Sequence, residues 1–196
     1  MAANCAKEAE YMLFDVNMIR MCVKQTKEKA KELIASQLER LIEDRALTFF
    51  TDRSLILGKG GGAAVLLAND GTELSTYAGH INLLTNFNTE LIALHLCIDM
   101  INTHIKNGSN PKGIAIFRGS KTAIESIALA QRSNPSQALI VKLHNKLKNW
   151  NPTCPVRLLW CPGHSNIPQN ERVDQLAKEA AQTQQISAYT QQTISI

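Results

Sequence analysis

Residues 114–129, IAIFRGSKTAIESIAL, read as a buried strand that runs straight into a helix. Ile114, Ala115, Ile116 and Phe117 are consecutive apolar residues, the pattern of a strand covered on both faces. Ala123, Ile124, Ile127 and Ala128 then recur at helical spacing. Between them, Arg118-Gly119-Ser120 stands at the strand's carboxyl end, the edge at which open α/β sheets place their chemistry. Neither arginine nor glycine holds a metal or moves a proton at neutral pH.

Working outward from this junction gives the rest of the architecture. Upstream, ALTFFTD (46–52) predicts a strand, and GKGGGAAVLLAND (58–70) predicts a second, entered through glycines. Asn69-Asp70-Gly71-Thr72 is a hairpin turn signal, and ELSTYAGHI (73–81) is the returning strand. NTELIALHLCIDMINTHIKNG (88–108) predicts a helix with Asn88 or Thr89 as N-cap and Gly108 near its end. Downstream come helices over 121–132 and 136–150, a strand in PVRLLWC (155–161), and a last helix in NERVDQLAKEAAQT (170–183). The order βββαβααβα predicts an α/β fold, a five-stranded mixed sheet flanked by helices, antiparallel at first and then parallel.

Residues 5–44 lack proline and glycine and predict helix throughout. Ala30, Leu33, Ile34, Leu38, Leu41 and Ile42 form an apolar stripe with opposite charges on the other face. The stripe fits a helix that docks on the body or links it. It also fits a dimerisation or partner-docking arm over 18–44. The expected division is an N-terminal helical extension (1–45), one α/β domain (46–182) and a polar C-terminal tail (183–196).

Composition narrows the class. The chain has 196 residues, 44% hydrophobic content and a net charge of +4. No apolar run reaches the roughly 20 residues of a membrane span, so no membrane partner is expected. The start, MAANCAKEAE, lacks the pattern of a secretory signal. The five cysteines (Cys5, Cys22, Cys97, Cys154, Cys161) contain no C-x-x-C pair, which speaks against a disulfide framework or a structural zinc site. The expectation is an intracellular protein, nuclear or cytoplasmic. Residues 1–44 carry 7 Lys/Arg against 8 Asp/Glu, whereas residues 45–196 carry 14 against 9. The basic body suits a polyanion partner.

Three carboxylates stand where such a sheet would expose them: Asp52 in FFTDRS, Glu90 in NTELIAL and Asp174 in NERVDQLAKEAA. His164 sits in the turn-rich loop CPGHSNIPQN. Taken singly, each has an ordinary structural role open to it: a turn cap, a helix N-terminal acid, a solvated helix face, a surface loop residue.

Together with GKGGGAAVLLANDGTELS, IAIFRGSKTAIESI and LLWCPGHSNIPQNERVDQLAKEAA, these stretches resemble the type 1 ribonuclease H family, in particular the domain found in non-LTR retrotransposon reverse transcriptase polyproteins. The resemblance covers residues 46–182. It implies a ribonuclease H-like fold that cleaves the RNA strand of RNA/DNA hybrids with two divalent ions, Mg2+ or Mn2+. Asp52 would bridge the ions, Asp174 and Glu90 would each serve one, and His164 would shuttle protons. The resemblance also implies a fourth carboxylate where this chain has Gly119, and a glycine where it has Arg53. Asn166 replaces another frequent glycine. These departures predict a scaffold that has lost most or all of its chemistry, with Mg2+ or Mn2+ as cofactor if it is active and none otherwise. Its ligand would be RNA/DNA hybrid, RNA or a protein, with a weak but active ribonuclease and a protein-interaction scaffold as alternatives. Arg53, Arg118, Lys121, Lys142, Lys146, Lys148 and Trp150 are the candidate nucleic-acid contacts.

Overall fold

The computed structural model describes residues 11–14, 19–22, 27–68, 71–81, 86–124, 139–143, 146, 156–163 and 166–183. Among the described residues its centre is a seven-stranded mixed sheet, in the order β1 (Tyr11–Phe14), β2 (Ile19–Cys22), β7 (Val156–Trp160), β6 (Ile114–Arg118), β3 (Leu47–Ile56), β4 (Lys59–Leu67) and β5 (Glu73–Ile81). The strands β3 (Leu47–Ile56), β4 (Lys59–Leu67) and β5 (Glu73–Ile81) form an antiparallel meander. β6 (Ile114–Arg118) and β7 (Val156–Trp160) then add in parallel beside β3. These five strands are the predicted mixed sheet. The helices are α1 (Lys27–Glu43), α2 (Asn86–Lys106), two stretches at 121–124 (α3) and 139–143 (α4), and α5 (Pro168–Thr183). Among the described residues no helix is long and apolar enough to cross a membrane.

The N-terminal segment departs from expectation. Tyr11–Phe14 (β1) and Ile19–Cys22 (β2) pair as an antiparallel hairpin, and β2 lies parallel to β7. Among the described residues helix begins at Lys27, and residues 5–10, 15–18 and 23–26 of the expected helix lie outside them. Absence of proline and glycine permits a helix but does not create one. The 3.6-residue apolar period starts only at Ala30, whereas YMLF and IRMC mix aromatic and branched residues suited to strands. The free edge of β7 supplies the hydrogen-bonding partner.

Each face of the sheet has its own core, and period-two alternation assigns strand residues to one or the other. On one face Phe49, Ile114, Ile116, Val156 and Leu158 pack with Leu91, Leu94 and Ile98 of α2. α2 is buried along most of its length, so its apolar residues run nearly all round rather than in one stripe. On the other face Phe50, Val65, Phe117 and Leu159 pack with Ile34 and Leu41 of α1 and with Val173 and Ala177 of α5. Phe50 and Phe117 stack there with ring centroids 4.8 Å apart. Ile34, Leu38 and Leu41 of the α1 stripe thus pack on the body.

Glycine explains how α5 reaches the sheet. A Cβ on Gly61 would lie 2.5 Å from the backbone nitrogen of Ala181 and closer still to the carbonyl oxygen of Ala177. Only a residue without a side chain lets α5 approach this closely. The small residues Ala177, Ala180 and Ala181 complete the fit, and all are buried. This contact holds α5, and Asp174 on it, against the sheet.

Two turns set the site's elements. β3 continues past Asp52 to Ile56, so Asp52 sits within the strand, paired with Ala63, rather than at its end. The turn is Leu57-Gly58, with φ of 50° and 77°, the hand that suits a two-residue hairpin. α2 starts at Asn86, so Asn88 and Thr89 lie inside its first turn and Glu90 just beyond them. At its other end Gly108 (φ 93°) stops the helix: its N–H donates to Ile105 O (3.0 Å) while Ser109 N–H donates to His104 O (3.1 Å).

Candidate active site and nucleic-acid interface

The middle of β3, the carboxyl end of β6, the amino-terminal part of α2 and the middle of α5 converge in one region. Asp52 faces the α5 side with Phe50, two residues away on the same strand face. Burial pushes its carboxyl up from an ordinary 3.8 to about 7, with the charges of Glu90 and Asp174 adding to the rise. The backbone N–H of Arg53, donating to Asp52 Oδ1 at 2.8 Å, and the Arg53 charge oppose it. The electrostatic coupling places all three predicted carboxylates in one neighbourhood.

Each of the other two already has a cation. Glu90 is 5% exposed, and both of its carboxylate oxygens accept from arginines. Arg53 Nε donates to Oε1 at 3.0 Å, and an Arg118 terminal nitrogen donates to Oε2 at 2.9 Å. That same Arg118 nitrogen also donates to the Glu90 backbone oxygen at 3.0 Å. Lys178, one turn along α5, donates to Asp174 Oδ2. Among the described residues no group of three acidic, histidine or cysteine side chains forms a metal cage.

Arg118 overturns one expectation. It was a candidate nucleic-acid contact, yet its side chain is wholly buried and turned toward α2. Period two explains this: Ile114, Ile116 and Arg118 share a face, and the first two pack in the α2 core. The same signal was available in the sequence. Gly119, one residue on, faces the α5 side. A Cβ there would sit 3.6 Å from Asp52 Oδ1 and 3.9 Å from Oδ2, in ordinary contact with nothing displaced. Gly119 is therefore the position from which a side chain would meet Asp52.

The remaining candidates divide. Arg53 has 30% of its side chain exposed and lies at the site. Lys121 sits 4.4 Å above the centre of the Trp160 ring, and Trp160 Nε1 donates to Gly119 O at 3.0 Å. Trp160, which ends β7, is the site's aromatic and was not among the predicted contacts. Ser120 caps α3 through its Oγ, which accepts from Ala123 N–H at 3.2 Å. Lys142 is exposed on α4, while Lys146 is paired with Asp99 at 2.7 Å, away from the site. His164, Lys148 and Trp150 lie outside the described residues. Asn166 has φ 56°, a left-handed conformation that asparagine accepts better than most residues. That is why it can stand where glycine is frequent.

The family model described as RNase H matches residues 44–182. The chain belongs to the RNase H family. Solved RNase H structures repeat the fold. RNase H1 of the halophilic archaeon Halobacterium salinarum is 20% identical, aligned over 69% of this chain and 96% of its own, with a TM-score of 0.54. LC11-RNase H1 in complex with an RNA/DNA hybrid is 16% identical over 69% of this chain and 96% of its own, at 0.58. LC11-RNase H1 was isolated from compost by a metagenomic approach. The N-terminal RNase H domain of a Mycobacterium tuberculosis protein is 21% identical over 69% and 94%, at 0.50. No curated protein sequence matches the chain. Likeness at these identities establishes the shared RNase H fold.

Proposed function

We propose that this RNase H domain binds RNA/DNA hybrid, or RNA, and cleaves it weakly or not at all. The observation that carries the reading is the occupation of both Glu90 oxygens by Arg53 and Arg118. A divalent ion needs carboxylate oxygens free to coordinate, and hydrated magnesium is exacting about geometry. Gly119 adds only a backbone beside Asp52, and Asp174 is held by Lys178. The residues present do not fit a pair of such ions, so no hydrolytic step is assigned through them.

What remains suits a phosphate backbone. Arg53 and Lys121 are partly exposed cations beside the site, and Lys142 lies exposed on α4. The hybrid captured with LC11-RNase H1 supports the same class of ligand here. About three phosphate contacts would weaken binding roughly 40-fold between 50 and 200 mM salt. The retrotransposon-like motifs support descent from a retroelement. A second reading, residual cleavage with manganese, is favoured by the electrostatic coupling of Asp52, Glu90 and Asp174.

The test follows a labelled hybrid in Mg2+ and in Mn2+ by gel for cleavage and by anisotropy for binding. The native chain is compared with a variant carrying R53G, R118M and G119D. Salt-sensitive binding without cutting is the expected result. Cutting by the native chain at the variant's rate would refute the proposal.

A further inference from the structure

A fully buried guanidinium is rare without a reason, because desolvating it is costly unless a paired charge offsets the loss. Arg118 is 0% exposed, and its partners are two oxygens of one residue, Glu90 Oε2 and the Glu90 backbone carbonyl. The outer face of the same carboxylate is held by Arg53, which reaches solvent. The inner and outer guanidinia thus enclose Glu90, and the trio carries a net positive charge. Among the described residues Arg118 Nε and its second terminal nitrogen have no hydrogen-bond partner, and Glu90 is the acid that holds the guanidinium.

We infer that Arg118 is a resident cation standing where a divalent ion would otherwise neutralise Glu90, so that folding and nucleic-acid binding are independent of divalent metal. This rests on the reading of the site as a binding rather than a cleaving one. The division of labour follows from exposure. Arg118 supplies the inner counter-charge, while Arg53 faces solvent and an incoming phosphodiester. A consequence for restoring the site also follows. Placing a carboxylate at Gly119 and removing Arg53 leaves the inner cation in place, so restoring hydrolysis also takes a change at Arg118.

The experiment uses the full chain and reads thermal unfolding in EDTA and in 10 mM Mg2+ or Mn2+. Anisotropy of a non-cleavable RNA/DNA hybrid is measured under the same conditions. The native chain is expected to melt within about 1 °C and to bind within about twofold in all three, since metal that binds only the folded state would raise its melting point. Arg118→Met keeps length without charge, and it is expected to melt lower and to recover about 5 °C or more in metal. Should that variant not fold, the double variant E90Q with R118M decides. It removes both charges, and is expected to fold with a metal-independent melting point. Metal stabilisation of the native chain equal to that of Arg118→Met would overturn the inference. So would a double variant no more stable than the single one, because Arg118 would then act by packing alone. Neither result depends on cleavage, which tests the binding reading separately.

Discussion

Replacing Gly61 by alanine is the sharpest probe of how this site is held. The added Cβ would lie 2.5 Å from Ala181 N, about 1 Å inside ordinary contact, and closer still to Ala177 O. Both obstructing atoms are backbone atoms of α5, so no side-chain rotation relieves the clash. The helix must lift, and Val173, Ala177, Ala180 and Ala181 all lose contact with the sheet. Overpacking of this kind is expected to cost about 3 kcal/mol, which corresponds to a fall of roughly 9 °C in melting temperature for a domain of this size. Hybrid affinity should fall as well, because α5 positions Asp174 and Lys178 at the site. Gly119→Ala is the internal control. Its Cβ meets nothing nearer than 3.6 Å and its φ is not left-handed, so the loss of unfolded-state freedom should leave it neutral or about 0.5 kcal/mol more stable. Urea denaturation followed by tryptophan fluorescence measures both. Equal stability of the two variants would refute the account of α5 docking.

Acid sensitivity should trace in part to His95. It is fully buried on α2, hydrogen-bonded to Leu139 O at 3.3 Å, and burial pushes its pKa from 6.5 down to about 4. Lys146 and Lys142 push the same way, and Asp99 opposes them. The unfolded chain binds a proton below pH 6.5 and the folded one only below about 4, so stability falls as pH drops through this window. The loss attributable to His95 reaches about 3 kcal/mol by pH 4. His95→Gln should abolish that part of the slope, and parallel profiles for the two proteins would count against it. In the β3–β4 turn, Leu57 is 98% exposed in a left-handed conformation, so Leu57→Asn should gain about 1 kcal/mol in urea unfolding.

Much of this architecture is legible in the sequence because its signals are local. The β4–β5 hairpin announces itself through its turn residues, and the strand-to-helix junction at 114–129 through a change of period. α5 is read from its own amphipathic spacing. The N-terminal hairpin is not legible in this way, since β2 becomes a strand by joining β7, more than a hundred residues away. At the site, Asp52, Glu90, Asp174 and Gly119 are singled out only by the family resemblance, and their partners are not singled out at all. Arg53 could be foreseen beside Asp52, yet its side chain reaches Glu90 instead. Arg118 looks like a surface cation until strand parity is combined with the α2 core, which turns it inward. Lys178 is an exception among the partners, because i, i+4 spacing on α5 pairs it with Asp174 by helix geometry alone.

The β1–β2 hairpin also bears on how the chain can be shortened. A fragment starting at residue 46 would retain every strand of the family's core but would strip the β2 ladder from β7. Its outer row of amide and carbonyl groups would then be open to pairing with another molecule. Such a fragment is expected to self-associate through that edge. Trimming to the residues that match the family would convert an interior strand into an adhesive border.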